Sequence, residues 1–244
     1  MLCKNFLKSL IFIFVFTFNF KLNGQQNPSW SQPPRLISFA GGINVSSVLG
    51  TTTSDYAHNV ATDINGNILF YIVDGIIYNA SGAIIDQIEK VISSVLSPVT
   101  GTTQYLVVPV PGNCNQYYLI AGSYTGLLSV GGNPQPYYIK IDVTVPNTQT
   151  GHNGELYNNA GIPVNVADKL DTYFNFDQHS GALHMAVTPL RCTTNDRLLF
   201  VASSLHLFRY RITAAGIVYD NYTVSYGIIW LPCGHKYRLI VYNI

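Results

Sequence analysis

Two aspartates and two asparagines within one twelve-residue window are the first candidates for chemistry. Asp63, Asn65, Asn67 and Asp74 fall at positions 1, 3, 5 and 12 of a calcium-loop pattern, where oxygen ligands recur at alternate residues. That pattern also requires glycine at position 6 for its sharp turn and a bidentate glutamate at position 12. Position 6 is Ile68, inside the apolar run 68–73, so the stretch reads as a hairpin turning at Asn65-Gly66. Asp177, His179 and His184 form D-x-H-x4-H, which puts no two imidazoles one helical turn or two strand residues apart. Polar loop residues account for them, and no metal site is assigned.

Nucleophilic and phosphate-binding patterns fail on spacing. The nearest text to a G-x-S-x-G elbow is "GLLSVGG", and "SVGGNPQP" has neither G-x-G-x-x-G nor a Walker lysine. Carboxylate pairs for glycoside cleavage cannot be chosen among ten aspartates, because their geometry is set in three dimensions. No catalytic residue and no cofactor is assigned.

Aromatic and cationic side chains offer binding instead of catalysis. Tyr117-Tyr118, Tyr137-Tyr138, Tyr222, Tyr226 and Trp230 could present flat faces to sugars or extended peptides. Adjacent strand residues point to opposite sides, so one tyrosine of each pair is expected in a core and its neighbour in the next inter-sheet layer. Arg191, Arg197, Arg209 and Arg211 make a local cluster, read either as a solvated strand face or as an anion site.

The elements that must position these residues are strands. Charged residues are 10% of the 244, and Glu89 and Glu155 are the two glutamates, so helical patterning is weak. Short runs rich in Ile, Val, Tyr and Phe recur instead: "NILFYIV", "GIIYN", "TQYLVVPV", "QYYLIAGSY", "PYYIKIDV", "RLLFVASS", "HLFRYRIT", "GIVYD" and "YGIIWL". Asn-Gly, Asp-Gly, Ser-Gly and Pro-Gly pairs between them suit tight antiparallel connections. In "LHLFRYRIT", Leu207, Arg209 and Arg211 share one face, and Phe208, Tyr210 and Ile212 the other. "NILFYIV" and "QYLVVPV" are apolar on both faces, as in strands held between sheets.

The N-terminus reads as an export signal, residues 1–24: Lys4 and Lys8 precede the apolar run Leu10 to Phe18, too short to span a bilayer. Residues 25–35 read as a flexible, Pro-containing lead. Removing the signal takes away Lys4, Lys8 and Lys21 and no acid, leaving ten basic against twelve acidic side chains, formally −2. No basic field is left to collect phosphates, which argues against nucleic acid as a partner, and no membrane span is expected after signal removal. Cys114, Cys192 and Cys233 allow at most one internal disulfide, and their spacing matches no zinc pattern.

Three segments repeat one grammar of polar turn, aromatic strand, short loop and second strand: 63–85, 111–143 and 193–220. A small sheet with two apolar faces must stack on its copies, so radial stacking is the expected solution.

The stretches "ATDINGNILFYIVDGIIYNASG" (61–82), "LVVPVPGNCNQYYLI" (106–120) and "ADKLDTY...NDRLLFVASSLHLFRYRITAAGI" (167–217) carry a family likeness. In them the chain resembles the β-propeller ectodomains of bacterial type IX secretion and gliding-motility-associated surface proteins. The likeness covers most of residues 36–220. It implies an all-β, β-propeller-like stack of small antiparallel sheets over residues 36–244, with about four to five blades. The chain stops at "RLIVYNI" with no sorting tail, so an incomplete propeller with an exposed sheet edge near the C-terminus is expected. The expected role is that of a secreted or outer-surface, non-catalytic domain for adhesion, display or binding of a carbohydrate or protein ligand. A propeller hydrolase acting on sugars or peptides, and a truncated remnant without activity of its own, are the alternatives.

Overall fold

The computed structural model describes residues 29–32, 35–38, 44–46, 54–55, 57–92, 95–99, 104–124, 134–170, 183–202, 206–228 and 239–243. The signal segment, Asp177, His179, Trp230, Cys233 and the side chain of Tyr226 lie outside what is described. Among the described residues every regular element is a strand, and no helix is long and apolar enough to cross a membrane.

The strands form five antiparallel sheets, none closed on itself. Sheet I contains β1 (Ser29–Gln32), β2 (Arg35–Ser38) and β3 (Asn44–Ser46). Sheet II is the meander β4 (His58–Thr62), β5 (Ile68–Val73), β6 (Ile76–Asn79) and β7 (Ile84–Gln87). Sheet III is the hairpin β8 (Glu89–Ile92) and β9 (Val95–Pro98). Sheet IV contains β10 (Tyr105–Pro109), β11 (Gln116–Tyr124), β12 (Pro134–Pro146), β13 (Asn153–Tyr157) and β14 (Asp168–Lys169). Sheet V contains β15 (His184–Val187), β16 (Arg197–Ala202), β17 (His206–Thr213), β18 (Gly216–Ile228) and β19 (Leu239–Asn243).

The turns follow from their residues. Asp74 (φ 49°) and Gly75 (φ 91°) both take positive φ between β5 and β6, the two-residue geometry whose twist matches a hairpin. At the β4–β5 turn one Asp63 oxygen accepts the backbone N–H of Asn65 and of Asn67, each at 2.8 Å. Asp63 and Asp74 thus stand at opposite ends of β5, and the calcium reading has no convergent ligands. Two runs that the sequence separates meet in one strand, β18: all of "GIVYD" and the first three residues of "YGIIWL" belong to it. A bulge opposite Arg209 and Tyr210, with Asn221 at φ 46°, absorbs the polar Asp220-Asn221 pair that looked like a break. β1 lies within the segment expected to be a flexible lead and pairs residue for residue with β2.

Sheet IV is buried on both sides. Phe70, Ile72 and Ile77 of sheet II meet Tyr117, Leu119, Tyr137 and Ile139 of sheet IV in one core. The alternate residues Tyr118, Ile120 and Tyr138 meet Met185, Leu199, Val201, Phe208, Tyr210 and Ile212 of sheet V in a second core. Each tyrosine pair is split between layers by strand alternation. Full burial of one such side chain stabilises by roughly 1.5–3 kcal/mol, so the two seams supply the main cohesion between sheets.

The first strands of sheets I, II, IV and V lie side by side: β4 beside β1 and β10, and β10 beside β15. Side-chain amides join them. Asn59 Nδ2 on β4 donates to the Tyr105 carbonyl oxygen at 2.8 Å. Gln104, just before β10, makes a two-bond clamp on β15: its Nε2 donates to the Met185 carbonyl at 2.9 Å, and the Met185 N–H donates to its Oε1 at 2.8 Å.

Candidate functional site

A groove of about 390 Å³ opens where the outer strands of sheets IV and V meet. Sheet IV contributes Tyr138, Asn159, Asp168 and Lys169, and sheet V contributes Ile217, Val218, Tyr219 and Asn221. The register explains the first group: β12 carries both β13 and β14 on its second edge, and Asp168 of β14 lies directly opposite Tyr138. The second group belongs to the part of β18 that runs ahead of its pairing with β19, which begins at Val224.

Both groove tyrosines are braced from behind by another ring. Tyr138 meets Tyr118 edge-on with centroids 6.3 Å apart, and Tyr219 meets Tyr210 edge-on at 5.7 Å. Tyr118 in turn donates its hydroxyl to the Thr213 carbonyl at 3.1 Å, tying sheet IV to the β17–β18 turn. Burial pushes the Tyr118 hydroxyl up to about 12. Burial, and then the Asp168 charge, push Tyr138 up as well, so both remain protonated donors near neutrality.

Asp168 accepts the Asn159 backbone N–H on Oδ2 at 2.5 Å. Across the seam Gly216 holds φ 149°, and a Cβ there would come within 2.6 Å of Asn159 Oδ1. The positive φ favours glycine here, and the exposed Asn159 side chain packs into the space a Cβ would take. The groove unites two rings, two carboxamides, one carboxylate and one ammonium. Such a set offers hydrogen-bond donors and acceptors side by side. Among the described lining residues it brings one carboxylate, whereas cleavage of a glycosidic bond by paired acids uses two.

Arg197 separates from the other three arginines, which two aspartates link. Asp196, nearly buried, takes a two-point bond from Arg191 (Nε and Nη2, both 2.7 Å), which holds its carboxyl below the usual range, and lies 3.6 Å from Arg211. Asp220 pairs Arg209 at 2.7 Å and Arg211 at 2.6 Å. Arg209 also caps the Tyr222 ring at 4.4 Å, which removes Tyr222 as an open stacking face. Arg197 turns to the inner face, is 8% exposed, and donates Nη1 to the Thr188 carbonyl at 3.3 Å. Arg191, Arg209 and Arg211 share two carboxylates, which leaves one positive charge on this strand face, and Arg197 is turned away from it.

His184 is exposed at the start of β15, and Cys114 and Cys192 are exposed free thiols in the β10–β11 and β15–β16 turns. Among the described residues no group of three or more His, Cys, Asp or Glu side chains comes together. Sequence reasoning missed Asn159, Asp168 and Tyr219, which carry no motif and meet only through register. It also missed Lys90, buried at 2% exposure over the Tyr137 ring, whose ammonium burial pulls down to about 8. Its neighbours Val91, Val95 and Leu96 are exposed, so the hairpin has its lysine inside and its aliphatic residues outside.

Compared with protein-family models, curated proteins and solved structures, the chain finds no match in any of the three.

Proposed function

We propose that this chain is an exported, non-catalytic surface domain of β-propeller type that binds a carbohydrate or protein ligand in the groove between sheets IV and V. The observation that carries the reading is the face-to-face stacking of sheets II, IV and V with their first strands alongside one another, which leaves an open, chemically mixed groove at the outer end of a seam. Stacked meanders of this kind are how propeller blades bury two faces each. The lysine-flanked apolar run at residues 4–18 supports export, and the formal charge of −2 beyond residue 24 speaks against a phosphate backbone as ligand. The sequence likeness to type IX secretion and gliding-motility-associated ectodomains agrees with a place outside the cell.

Two measurements test the proposal. Cells expressing the full chain, with and without residues 1–24, are fractionated and treated with external protease. Export predicts that only the complete chain leaves the cytoplasm. Purified protein is then assayed for retention on cellulose, chitin, peptidoglycan and fibronectin-coated beads, against Val218→Arg, which places a bulky cation on an exposed groove residue. Retention that the variant abolishes supports the reading. Retention that survives it, or retention on none of the four, defeats it.

A further inference from the structure

Resting on that reading of the groove, we infer that its ligand is an anionic saccharide, a sugar chain whose carboxylate or sulfate groups are held between Lys169 on sheet IV and Arg211 on sheet V. The first reason is that Arg211 is surplus to the ion pairs around it. Arg191 serves Asp196 with two hydrogen bonds of 2.7 Å, and Arg209 lies 2.7 Å from Asp220. Each aspartate is thereby matched by one arginine. Arg211 is the third: its Nη2 meets Asp220 at 2.6 Å, its Nε stands 3.6 Å from Asp196, and its side chain is the most exposed of the three, at 46%. A guanidinium carries five N–H donors in a fork that fits a carboxylate or sulfate, so one hydrogen bond to Asp220 leaves donors over for a ligand.

The second reason is position. Arg211 stands directly opposite Val218 in the β17–β18 register, so their side chains share one face with Cβ atoms about 5 Å apart. Val218 is exposed and lines the groove, whose opposite wall carries Lys169. Lys169 is exposed too and has no ion-pair partner among the described residues. Its neighbour Asp168 gives Oδ2 to the Asn159 N–H. Lys169, Arg191, Arg209 and Arg211 face Asp168, Asp196 and Asp220, an excess of one positive charge. Beyond residue 24 the chain is formally −2, so this corner carries the sign opposite to the whole.

The third reason is the chemistry between the two cations. Asn159 and Asn221 bring carboxamides, which donate and accept at once as sugar hydroxyls do. The groove is open, and its volume falls within the roughly 300–1,000 Å³ of small-ligand sites. Two cations on different sheets suit acid groups spaced along a sugar chain and are too few for a phosphate backbone. An acidic peptide fits less well. The stretch of β18 ahead of its pairing with β19 is broken by the bulge at Asp220-Asn221, with Asn221 at φ 46°, which leaves too short a run for a peptide strand to add regularly.

Isothermal titration of the full chain tests the inference. The probes are tetragalacturonic acid, its fully methyl-esterified neutral form, a carrageenan tetrasaccharide whose only acid groups are sulfates, and a ten-residue Asp/Val peptide. At least one anionic tetrasaccharide should bind at least tenfold tighter than the ester and weaken at least threefold between 50 and 500 mM salt, and the tighter of the two identifies the acid group. Arg211→Gln and Lys169→Gln should each cost about tenfold. The Arg211→Gln melting curve should stay unchanged, because Arg191 and Arg209 still serve the two aspartates. Val218→Glu, bulky and negative between the two cations, should abolish binding. Arg35→Gln removes the same charge from an exposed position on β2 and should change nothing. An ester bound as tightly as the acid, a loss in Arg35→Gln equal to that in Arg211→Gln, or a preference for the peptide overturns the anionic-saccharide assignment. Where Val218→Glu still abolishes that binding, the groove stands as a ligand site. Binding of no probe defeats both.

Discussion

Gln104 is the side chain whose removal tests the stacking most directly. In Gln104→Ala both bonds to the Met185 peptide vanish, at 2.9 and 2.8 Å, and a partly buried N–H and carbonyl on β15 lose their partner. A net 0.5–1.5 kcal/mol per bond gives a loss of about 2 kcal/mol. For a chain of this size that is a fall in Tm of roughly 4–8 °C. Asn59→Ala removes one such bond, to the Tyr105 carbonyl, and should cost about half as much. Gln104→Glu adds a chemical check: its carboxylate still accepts the Met185 N–H but faces the Met185 carbonyl. At pH 7 it should be no more stable than the alanine variant, and near pH 4, once protonated, it should regain part of the loss. Urea denaturation followed by tyrosine fluorescence supplies the numbers. A cost below about 0.5 kcal/mol for Gln104→Ala, or a glutamate variant indifferent to pH, would refute the claim that amide clamps hold the first strands together.

Three further substitutions probe other features. Gly75→Ala puts a Cβ 2.5 Å from the Val99 carbonyl oxygen at φ +91°, whereas Gly151→Ala meets nothing within 4 Å at φ +72°. Equilibrium unfolding should show a loss of at least about 2 kcal/mol for the first, and about 1 kcal/mol, strain alone, for the second. Lys90 has its folded pKa lowered to about 8, so the native state binds fewer protons than the unfolded chain between there and the ordinary lysine value near 10.5. Stability should therefore rise with pH from about 8 towards 10, and Lys90→Met should be more stable than wild type at pH 7 and lack that rise. The raised values of Tyr105, Tyr118 and Tyr138 act above pH 10, where ionisation in the unfolded chain draws stability down, so thermal melts across pH 7–10 isolate the lysine. Leu119→Ala, at the centre of the seam between sheets II and IV, should cost roughly 2–5 kcal/mol by calorimetry.

Strands with continuous apolar runs were legible because both of their faces are buried. "QYYLIAGSY" coincides with β11 to the residue, and "HLFRYRIT", legible instead by its alternation of arginine with apolar residues, coincides with β17. Among the strands that escaped notice, β4, β8, β13, β14 and β15 are short and carry His, Asn, Glu, Lys or Asp, and each pairs with a neighbouring strand. Lys90 shows the difficulty: burial over Tyr137 inverts the polarity that a two-residue period implies. The groove between sheets IV and V was half legible. Tyr138 was singled out as an aromatic, but its partners Asn159 and Asp168 arrive by way of the second edge of β12, and Tyr219 by way of an adjacent sheet. Pairings at that sequence distance leave no local signature. The arginine cluster was legible as types, while its pairing with Asp196 and Asp220 needed the cross-strand register.

Sheet IV serves as a party wall between two dwellings. Because Tyr117 and Tyr118, or Tyr137 and Tyr138, belong to opposite rooms, neither side can be vacated without leaving an oily surface of the wall open to the weather. Deleting either neighbour would therefore bare a whole greasy side of the wall, whereas the outer decoration of each dwelling bears no such weight.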